Sequence, residues 1–520
     1  MPLADVPRPI LRLAFAAPLS TAAGLLLVAA FPAPALWPVA FPAVAMALIA
    51  LAGRRVWSAA LVGFLFGAAF FSVNLLFTAR YLGPIPWIAL SVLESLLTAA
   101  FAVPIALAYR WMPRIAPGPW GRLVLLPTLV AALWTLREQV VGSWPYGGFP
   151  WGRIGVSQVN GPFAEVASWV GMSGLSFLVV LFCEMAVEYV RVARFRRLLT
   201  AVPAALVLVI LVALPQFPTT AVGSMRVGAV QGNGPAGYFD QRARNAVLNA
   251  QLAASAPLFG QDMDVLLWPE GGVDSDPTRN QATAAVLGEL SRRVDAPLLV
   301  SAVTERGPRL YNSALLWTAD GGPQQTYDKR NPVPFGEYVP DRSFWEPFAP
   351  DLIGLIGREY TPGTASPGFD VNGVGVGLAI CFDVIYDDVV WDGADQGAEV
   401  FMFQTNNADF RGTDENLQQL AFARMRAIET GRSVVNLSTV GTSQVIAPDG
   451  ATLDQLPVDT AGHMLTDVPL RTGLTPAVVI GPAIKIVLGW GSLVALIAAG
   501  VGVLVRGRTN KTPAPEGTGV

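Results

Sequence analysis

The stretch GVGVGLAICFD, residues 373–383, carries an apolar, strand-like run onto a cysteine, Cys381, at the point where the strand must break into a turn. An earlier stretch, MDVLLWPEGG (263–272), has the same form: its run 263–268 reads as a buried strand that delivers Glu270 at its carboxyl end. Between them YDKRNPVPFGEYVP (327–340) holds Lys329 and Glu337, and before them MRVGAVQGN (225–233) is a strand ending in turn residues. A helix is predicted near 280–293, strands at 297–304 and 310–318, a further strand in VFMFQTNNADF (400–410), a helix near 414–430 and paired strands near 433–447. Alternating strands and helices of this kind build an α/β layered domain with its site at the strand ends.

The residues around this domain belong to another solvent. Of 520 residues, 52% are hydrophobic and only 14% charged, and the mean hydropathy is +0.47, which is too apolar for an ordinary soluble chain. Eight stretches approach the length needed to cross a bilayer, near 11–31, 34–52, 57–78, 84–109, 122–136, 164–190, 199–214 and 477–505. The predicted organisation is a membrane domain of seven helices (1–215), an α/β domain (216–475), an eighth span (476–506) and a polar tail (507–520). The first stretch resembles a signal peptide in its basic flank and its FPAPA, and is read as a retained span.

Loop charges set the orientation. One set of span ends carries Arg8, Arg12, Arg54, Arg55, Arg110, Arg114, Arg122, Arg191, Arg194, Arg196, Arg197, Arg506, Arg508 and Lys511, whereas the opposite loops carry Arg80, Arg137 and Arg153. Both termini are therefore expected in the cytoplasm and the α/β domain outside it, in a plasma (inner) membrane of bacterial type. The net charge of −3 gives no field that would attract nucleic acid. Cys183 and Cys381 lie in segments of different character and are not expected to pair. A single histidine, His463, makes a His-rich metal site or a serine–histidine arrangement untenable and reads as a strand or surface residue. Glu94 falls mid-span, where a carboxylate needs a partner or water; Glu184 is expected to reach the membrane interface.

The chemistry converges on Glu270, Lys329 and Cys381. A thiol attacks well only as thiolate, and its ordinary pKa of about 8.5 leaves it mostly protonated near neutrality. A carboxylate can take that proton, and an ammonium can steady the anions formed on attack. Such a division of labour needs no histidine. Singly, each residue also reads as a surface acid, a solvated lysine and a buried thiol.

WPE at 268–270, the Lys329 segment with Glu337, and the Cys381 segment resemble the Glu-Lys-Cys signature of the nitrilase (carbon-nitrogen hydrolase) superfamily. With GFPW at 148–151, SQ at 157–158, QGN at 231–233, VPFGEYVP at 333–340 and the eight-span frame, residues 10–505 resemble the apolipoprotein N-acyltransferase family. The resemblance implies a four-layer α-β-β-α nitrilase-like extracytoplasmic domain and a ping-pong acyl transfer. Glu270 would be the general base, Cys381 the nucleophile that takes an acyl chain from a phospholipid as thioester, and Lys329 the oxyanion stabiliser. Glu337 would orient the site, with Phe382 and Asp383 in support. The acceptor would be the α-amino group of a diacylglyceryl-modified apolipoprotein, and no metal or organic cofactor is implied. The family often has Cys-Tyr-Glu where this chain has Cys381, Phe382 and Asp383, which puts rate or donor preference in question. It also has a Trp soon after QGN, for which Tyr238 is the nearest aromatic, and an aromatic after Asn-Asp-Ala where this chain has Asn407, Ala408, Asp409 and Phe410.

Two aromatic segments bear on lipid access. In the loop 142–162, Trp144, Phe149 and Trp151 are expected either in an interfacial belt or at a lipid entrance. In RSFWEPFAPDLIGLIG (342–357), Phe344, Trp345, Phe348, Leu352, Ile353, Leu355 and Ile356 are expected to form a lid that dips into the outer leaflet. Two other readings share the same residues: a membrane-tethered amidase or nitrilase using water as acceptor, and a scaffold whose domain only binds a partner.

Overall fold

The computed structural model of the protein describes residues 9–193 and 198–509. Arg8, Arg194, Arg196, Arg197, Lys511 and the tail from 510 onward lie outside the described residues.

Among the described residues the α/β unit has twelve strands: β1 (Thr220–Gln231), β2 (Val265–Leu267), β3 (Leu298–Arg306), β4 (Arg309–Trp317), β5 (Pro323–Asp328), β6 (Gly368–Val371), β7 (Val374–Ile380), β8 (Val400–Thr405), β9 (Ser433–Ser438), β10 (Ser443–Ile446), β11 (Thr452–Leu456) and β12 (Gly462–Thr472). They form two sheets in the orders β12-β1-β2-β3-β4-β5 and β11-β10-β9-β8-β7-β6. The parallel core of the first is β1-β2-β3, joined through helices Ala246–Ser255 and Gln281–Val294. That of the second is β7-β8-β9, joined through Asp387–Asp395 and Glu415–Thr430. Each half thus repeats the strand–helix–strand crossover that parallel pairing requires.

The sheets pack face to face through Met225, Val227, Leu267, Leu299, Leu378 and Met402, all buried. On the outer face of the first sheet Gln281–Val294 turns Leu287, Leu290 and Val294 inward, spacings that keep one stripe of a helix apolar. The Asn280 side chain caps that helix by accepting from the Ala282 and Thr283 N–H groups. β2 is shorter than the predicted run 263–268: the strand begins at Val265, and Pro269, with no N–H to give the ladder, closes it at the other end. The arrangement is the four-layer α-β-β-α architecture, with His463 exposed at the start of β12.

Among the described residues five helices are long and apolar enough to cross a membrane: Val56–Asn74, Pro84–Ile115, Gly121–Val141, Ala164–Val192 and Pro476–Arg506. Three shorter apolar helices, Leu13–Val28, Trp37–Leu51 and Leu199–Ala213, accompany them. Small residues let these helices approach closely; a Cβ on Gly63 would stand 2.6 Å from that of Ala102. One continuous core joins the bundle to the α/β unit, in which Val389, Val390, Ala421 and Met425 meet bundle residues such as Trp151 and Met172. Helix Glu415–Thr430 is therefore covered on both sides, and even its Gln418, Gln419, Arg426 and Glu429 are buried.

Three expectations need correction. Glu184 does not reach an interface: it is fully buried and accepts a 2.5 Å hydrogen bond from the Tyr109 hydroxyl. Arg137 is not a loop charge, and Arg153, although it stays in the loop 142–162, is buried and paired. Arg137 lies inside Gly121–Val141, 3.4 Å from Glu94, which answers the mid-span carboxylate, and Arg153 is 2.6 Å from Asp387. Within the proposed lid, Ile353 and Ile356 are buried against Val339 and cannot dip outward, whereas Phe344 and Phe348 are exposed. Cys183 is a buried free thiol, and Cys381 is also free.

Candidate active site

Three groups of the site leave the ends of strands. Glu270 follows β2, Lys329 follows β5, and Cys381 follows β7. Cys381 has φ +49°, in the left-handed region that a residue bearing a Cβ enters only when its surroundings hold it there. Asp383 supplies much of that hold. Its buried carboxylate accepts from the Tyr327 hydroxyl at 2.8 Å, from the Asn331 backbone N–H at 2.9 Å and from the Asn331 side-chain amide at 3.0 Å. It thereby clamps the turn after β7 to the loop after β5, which fixes Cys381 relative to Lys329. Phe382 stacks on Phe149 with ring centroids 5.7 Å apart.

The Lys329 Nζ lies 3.2 Å from Glu270 Oε1 and 2.9 Å from Glu337 Oε2, and all three side chains are largely withdrawn from solvent. Asn312, on β4, donates to Glu270 Oε1 at 2.7 Å and to Glu337 Oε1 at 3.1 Å. Its backbone carbonyl also accepts from the Lys329 N–H at 2.8 Å. Glu337 Oε2 accepts from the Val333 N–H at 2.7 Å. Burial alone would lower the Lys329 pKa, but the charges of Glu270 and Glu337 outweigh it and hold the ammonium well above its usual range. Burial, and Glu337 to a lesser degree, raise Glu270. The Cys381 thiol is pushed well up by burial and then by the Glu270 charge, against the pull of Lys329. Cys381 thus favours the neutral thiol, and the Glu270 carboxyl group that acts on it has a raised affinity for protons.

Behind the sulfur stands a polar trio of which the sequence reading named only Asn407. Gln419 Nε2 donates to Cys381 Sγ at 3.4 Å. Asn407 gives its two N–H bonds to Gln419 Oε1 (2.9 Å) and Glu415 Oε2 (2.8 Å), while its carbonyl oxygen accepts from Ser438 Oγ at 2.6 Å. This fixes both amide orientations, so Gln419 presents donors to the thiol. The signal was available: Glu415 and Gln419 are four apart on one helix, and Asn312 is a lone amide within an apolar strand run.

Burial pushes Glu415 up to about 8, with the Glu270 charge adding to it and the Asn407 bond opposing it. A carboxyl group raised by folding adds stability at low pH and loses that contribution as pH rises through about 8. Glu415→Gln, which mimics the neutral acid, is expected to match the wild type at pH 4, below the ordinary value of 4.5, and to exceed it in thermal midpoint at pH 9, with the gap opening between about 4.5 and about 8. Parallel melting curves in detergent check this; equal losses at both pH values would show that the carboxyl is not held neutral.

The aromatic candidates divide into groups. Trp151 is buried, stacks on Phe149 (5.4 Å) and donates from Nε1 to Gln418 Oε1 at 2.5 Å, so it is a strut between the bundle and the α/β unit and lines no open entrance. Trp144 is exposed. Phe344, Trp345 and Phe348 pack on one another beside Phe335, and the Trp345 Nε1 donates to Tyr146 at 3.1 Å. The Tyr238 hydroxyl bridges the Leu355 carbonyl and the Gly357 N–H, tying the end of this segment to the loop after β1.

Comparison with known proteins covers both parts of the chain. A family model for the apolipoprotein N-acyltransferase N-terminal domain matches residues 23–185, and the carbon-nitrogen hydrolase model matches residues 226–473. A Mycolicibacterium smegmatis protein named apolipoprotein N-acyltransferase is 32% identical, over 94% of this chain and 85% of its own length. The chain belongs to the apolipoprotein N-acyltransferase family. A Shewanella oneidensis protein of the same name is 28% identical over 75% of this chain and 76% of its own length. Among solved structures, an amidase of the nitrilase superfamily from Nesterenkonia AN1 aligns at 20% identity and a TM-score of 0.38, covering 49% of this chain and 94% of its own. Membership in the apolipoprotein N-acyltransferase family, together with the apolar helices, makes this a multi-pass membrane enzyme of bacterial type carrying a carbon-nitrogen hydrolase domain.

Proposed function

We propose that the enzyme moves a fatty acyl chain from a phospholipid, through a thioester on Cys381, to the α-amino group of the diacylglyceryl-cysteine at the N-terminus of an apolipoprotein. The observation that carries this reading is a cysteine thiol in a left-handed turn, set beside the buried Glu270–Lys329–Glu337 cluster and joined by one core to a bundle of apolar helices.

The Cys381 proton passes to Glu270 as Sγ attacks the ester carbonyl carbon. Lys329 has three N–H bonds, held at rest by Glu270 Oε1 and both Glu337 oxygens, and turns one of them to the oxyanion as it forms. Collapse breaks the acyl carbon–oxygen bond; the leaving alkoxide takes the proton from Glu270 and departs as lysophospholipid. The acceptor amine then attacks the thioester, Glu270 takes its proton, and the expelled thiolate is reprotonated. Glu337 positions Lys329 and Asn312, and Asp383 positions the nucleophile. A thioester suits an amine acceptor, because it divides one hard displacement into two easier ones.

Eight spans with both termini in the cytoplasm and residues 216–475 as the extracytoplasmic catalytic unit agree with this. The charge asymmetry agrees with this, since Arg137 lies within a helix beside Glu94 and the loop residue Arg153 is paired with Asp387, which leaves Arg80 as the other charge on that side. Exposed Phe344 and Phe348 fit a lid touching the outer leaflet. A water-using amidase would need neither feature.

The test is intact mass of the purified protein and of Cys381→Ala after incubation with a diacyl phospholipid, before and after addition of a diacylglyceryl-cysteine peptide. A hydroxylamine-labile acyl adduct on the wild type alone, discharged onto the peptide amine, is expected. A well-folded protein that acquires no adduct would sink the phospholipid donor.

A further inference from the structure

Arg358 follows the aromatic segment 342–357 and stands at the rim of the site. Its guanidinium carbon lies 4.4 Å above the Tyr238 ring and 5.8 Å from the Tyr360 ring. Both rings are anchored. Tyr238 is tied through its hydroxyl to Leu355 and Gly357, and the Tyr360 N–H donates to the Glu337 carbonyl at 3.0 Å. Tyr81, in the short helix Ala79–Leu82 of the bundle, packs edge-on against Tyr238 and donates to the Gly336 carbonyl. Arg358 therefore sits where the aromatic segment, the Glu337 loop and the bundle meet.

Its neighbours on the same segments are all committed to carboxylates: Arg330 to Asp392, Arg342 to Glu359 and Arg411 to Asp459. Arg358, half-buried, makes no ion pair and no hydrogen bond to a carboxylate or carbonyl among the described residues; its charge reaches Asp409, whose carboxyl burial pushes up more strongly than Arg358 pulls it down. Stacking on aromatic faces holds a guanidinium's plane while leaving its edge donors open, and a fork of donors matches the two free oxygens of a phosphodiester.

Resting on the acyl-transfer reading above, we infer that Arg358 binds the phosphodiester of the donor lipid and so selects which of the two lipid substrates acylates Cys381. The selection is chemically necessary. Donor and acceptor both carry glycerol-bound fatty esters, and attack on an ester of the acceptor would strip the product being made. The donor has a phosphate one glycerol carbon from its esters, and the diacylglyceryl-cysteine has a thioether in that place. A cation at the rim favours the first over the second without touching the reacting atoms, which makes Arg358 a specificity residue.

The experiment uses full-length protein in detergent, with Arg358→Gln and Arg358→Lys, and reads single-turnover thioester formation from a diacyl phospholipid and from the p-nitrophenyl ester of the same fatty acid. Loss of a charge-assisted hydrogen-bonded pair predicts that Arg358→Gln is slower with phospholipid by about tenfold to a hundredfold. The rate with the phosphate-free ester stays at the wild-type level, as does discharge of a preformed thioester onto the peptide. Arg358→Lys, which keeps charge but not the fork, falls between. Parallel loss on both donors would show that Arg358 only shapes the site, and an unchanged phospholipid rate would show that it does not meet the phosphate; either overturns the inference. If the wild type forms a thioester from the p-nitrophenyl ester but none from phospholipid, the donor assignment itself fails, and the inference with it.

Discussion

Lys329→Met is expected to cut thioester formation by about 10²–10³-fold, the usual cost of removing a group aimed at a developing oxyanion, and to lower the thermal midpoint as well. Methionine fills nearly the same volume, so the loss is electrostatic. In the wild type one ammonium serves two buried carboxylates at 3.2 and 2.9 Å. Without it, Glu270 and Glu337 face each other through Asn312 with no counter-charge. Breaking a buried pair by deleting one partner costs about 3–5 kcal/mol when the other must remain ionised. Here the carboxylates have an escape, because burial already raises Glu270 and loss of the lysine raises it further. Groups raised by folding add stability at low pH and lose it as pH rises, so the variant's deficit is smaller near pH 5 than near pH 8. Melting curves at the two pH values decide this. Adding Glu270→Gln to Lys329→Met should recover stability while leaving activity absent, which separates the structural role of the ammonium from its catalytic one.

The same cluster shows what a sequence discloses and what it withholds. Glu270 and Cys381 were legible because a buried strand announces its own end: an apolar run stops and a polar residue follows. Trp317 and Leu315, in a longer run of the same kind, likewise placed β4. β5, β6, β11 and β12 were not foreseen. β5 is PQQTYD, whose first four residues alternate in exposure at the sheet edge, and such strands lack the apolar density that marks a central one. Helix Asp387–Asp395 was hidden for a related reason, since DDVVWDGAD opens on two acids that read as loop. Helix Glu415–Thr430 was found, but its active-site role was not, because a helix covered on both sides has no polar face to contrast with an apolar one. Asn312 and Gln419 act by bridging residues far apart in the chain. The contact itself, which only the fold supplies, is their distinguishing property.

Residues that join the α/β unit to the bundle were hardest to read, and Asp387→Ala tests the largest of those junctions. The Asp387 carboxylate receives Arg153 from the loop 142–162 at 2.6 and 2.9 Å, Arg426 from Glu415–Thr430 at 2.9 Å, and Lys485 from the last apolar helix at 3.1 Å. Glu429 offers Arg426 a second partner at 2.6 Å. Burial would raise Asp387, but Arg153, Lys485 and Arg426 together hold it well below the carboxylate range. Deleting it leaves three cations to one carboxylate across a seam that includes fully buried Arg426. The loss should therefore reach at least the range of about 3–5 kcal/mol for one broken buried pair. A cavity of about 250 Å³ bordered by Arg153, Asp387 and Lys485 admits water and keeps the cost below the dry-interior limit. Arg153→Met should cost less, because Asp387 then retains two cations. A carboxylate lowered by folding stabilises above the ordinary aspartate pKa and loses that contribution only as pH falls below about 4, so the Asp387→Ala deficit is constant from pH 5 to 8. The helix that Asp387 opens follows directly on the turn holding Cys381. Thioester formation in Asp387→Ala should thus decline together with the thermal midpoint, and full activity in a variant of lowered midpoint would show that the seam holds the two halves together without setting the nucleophile.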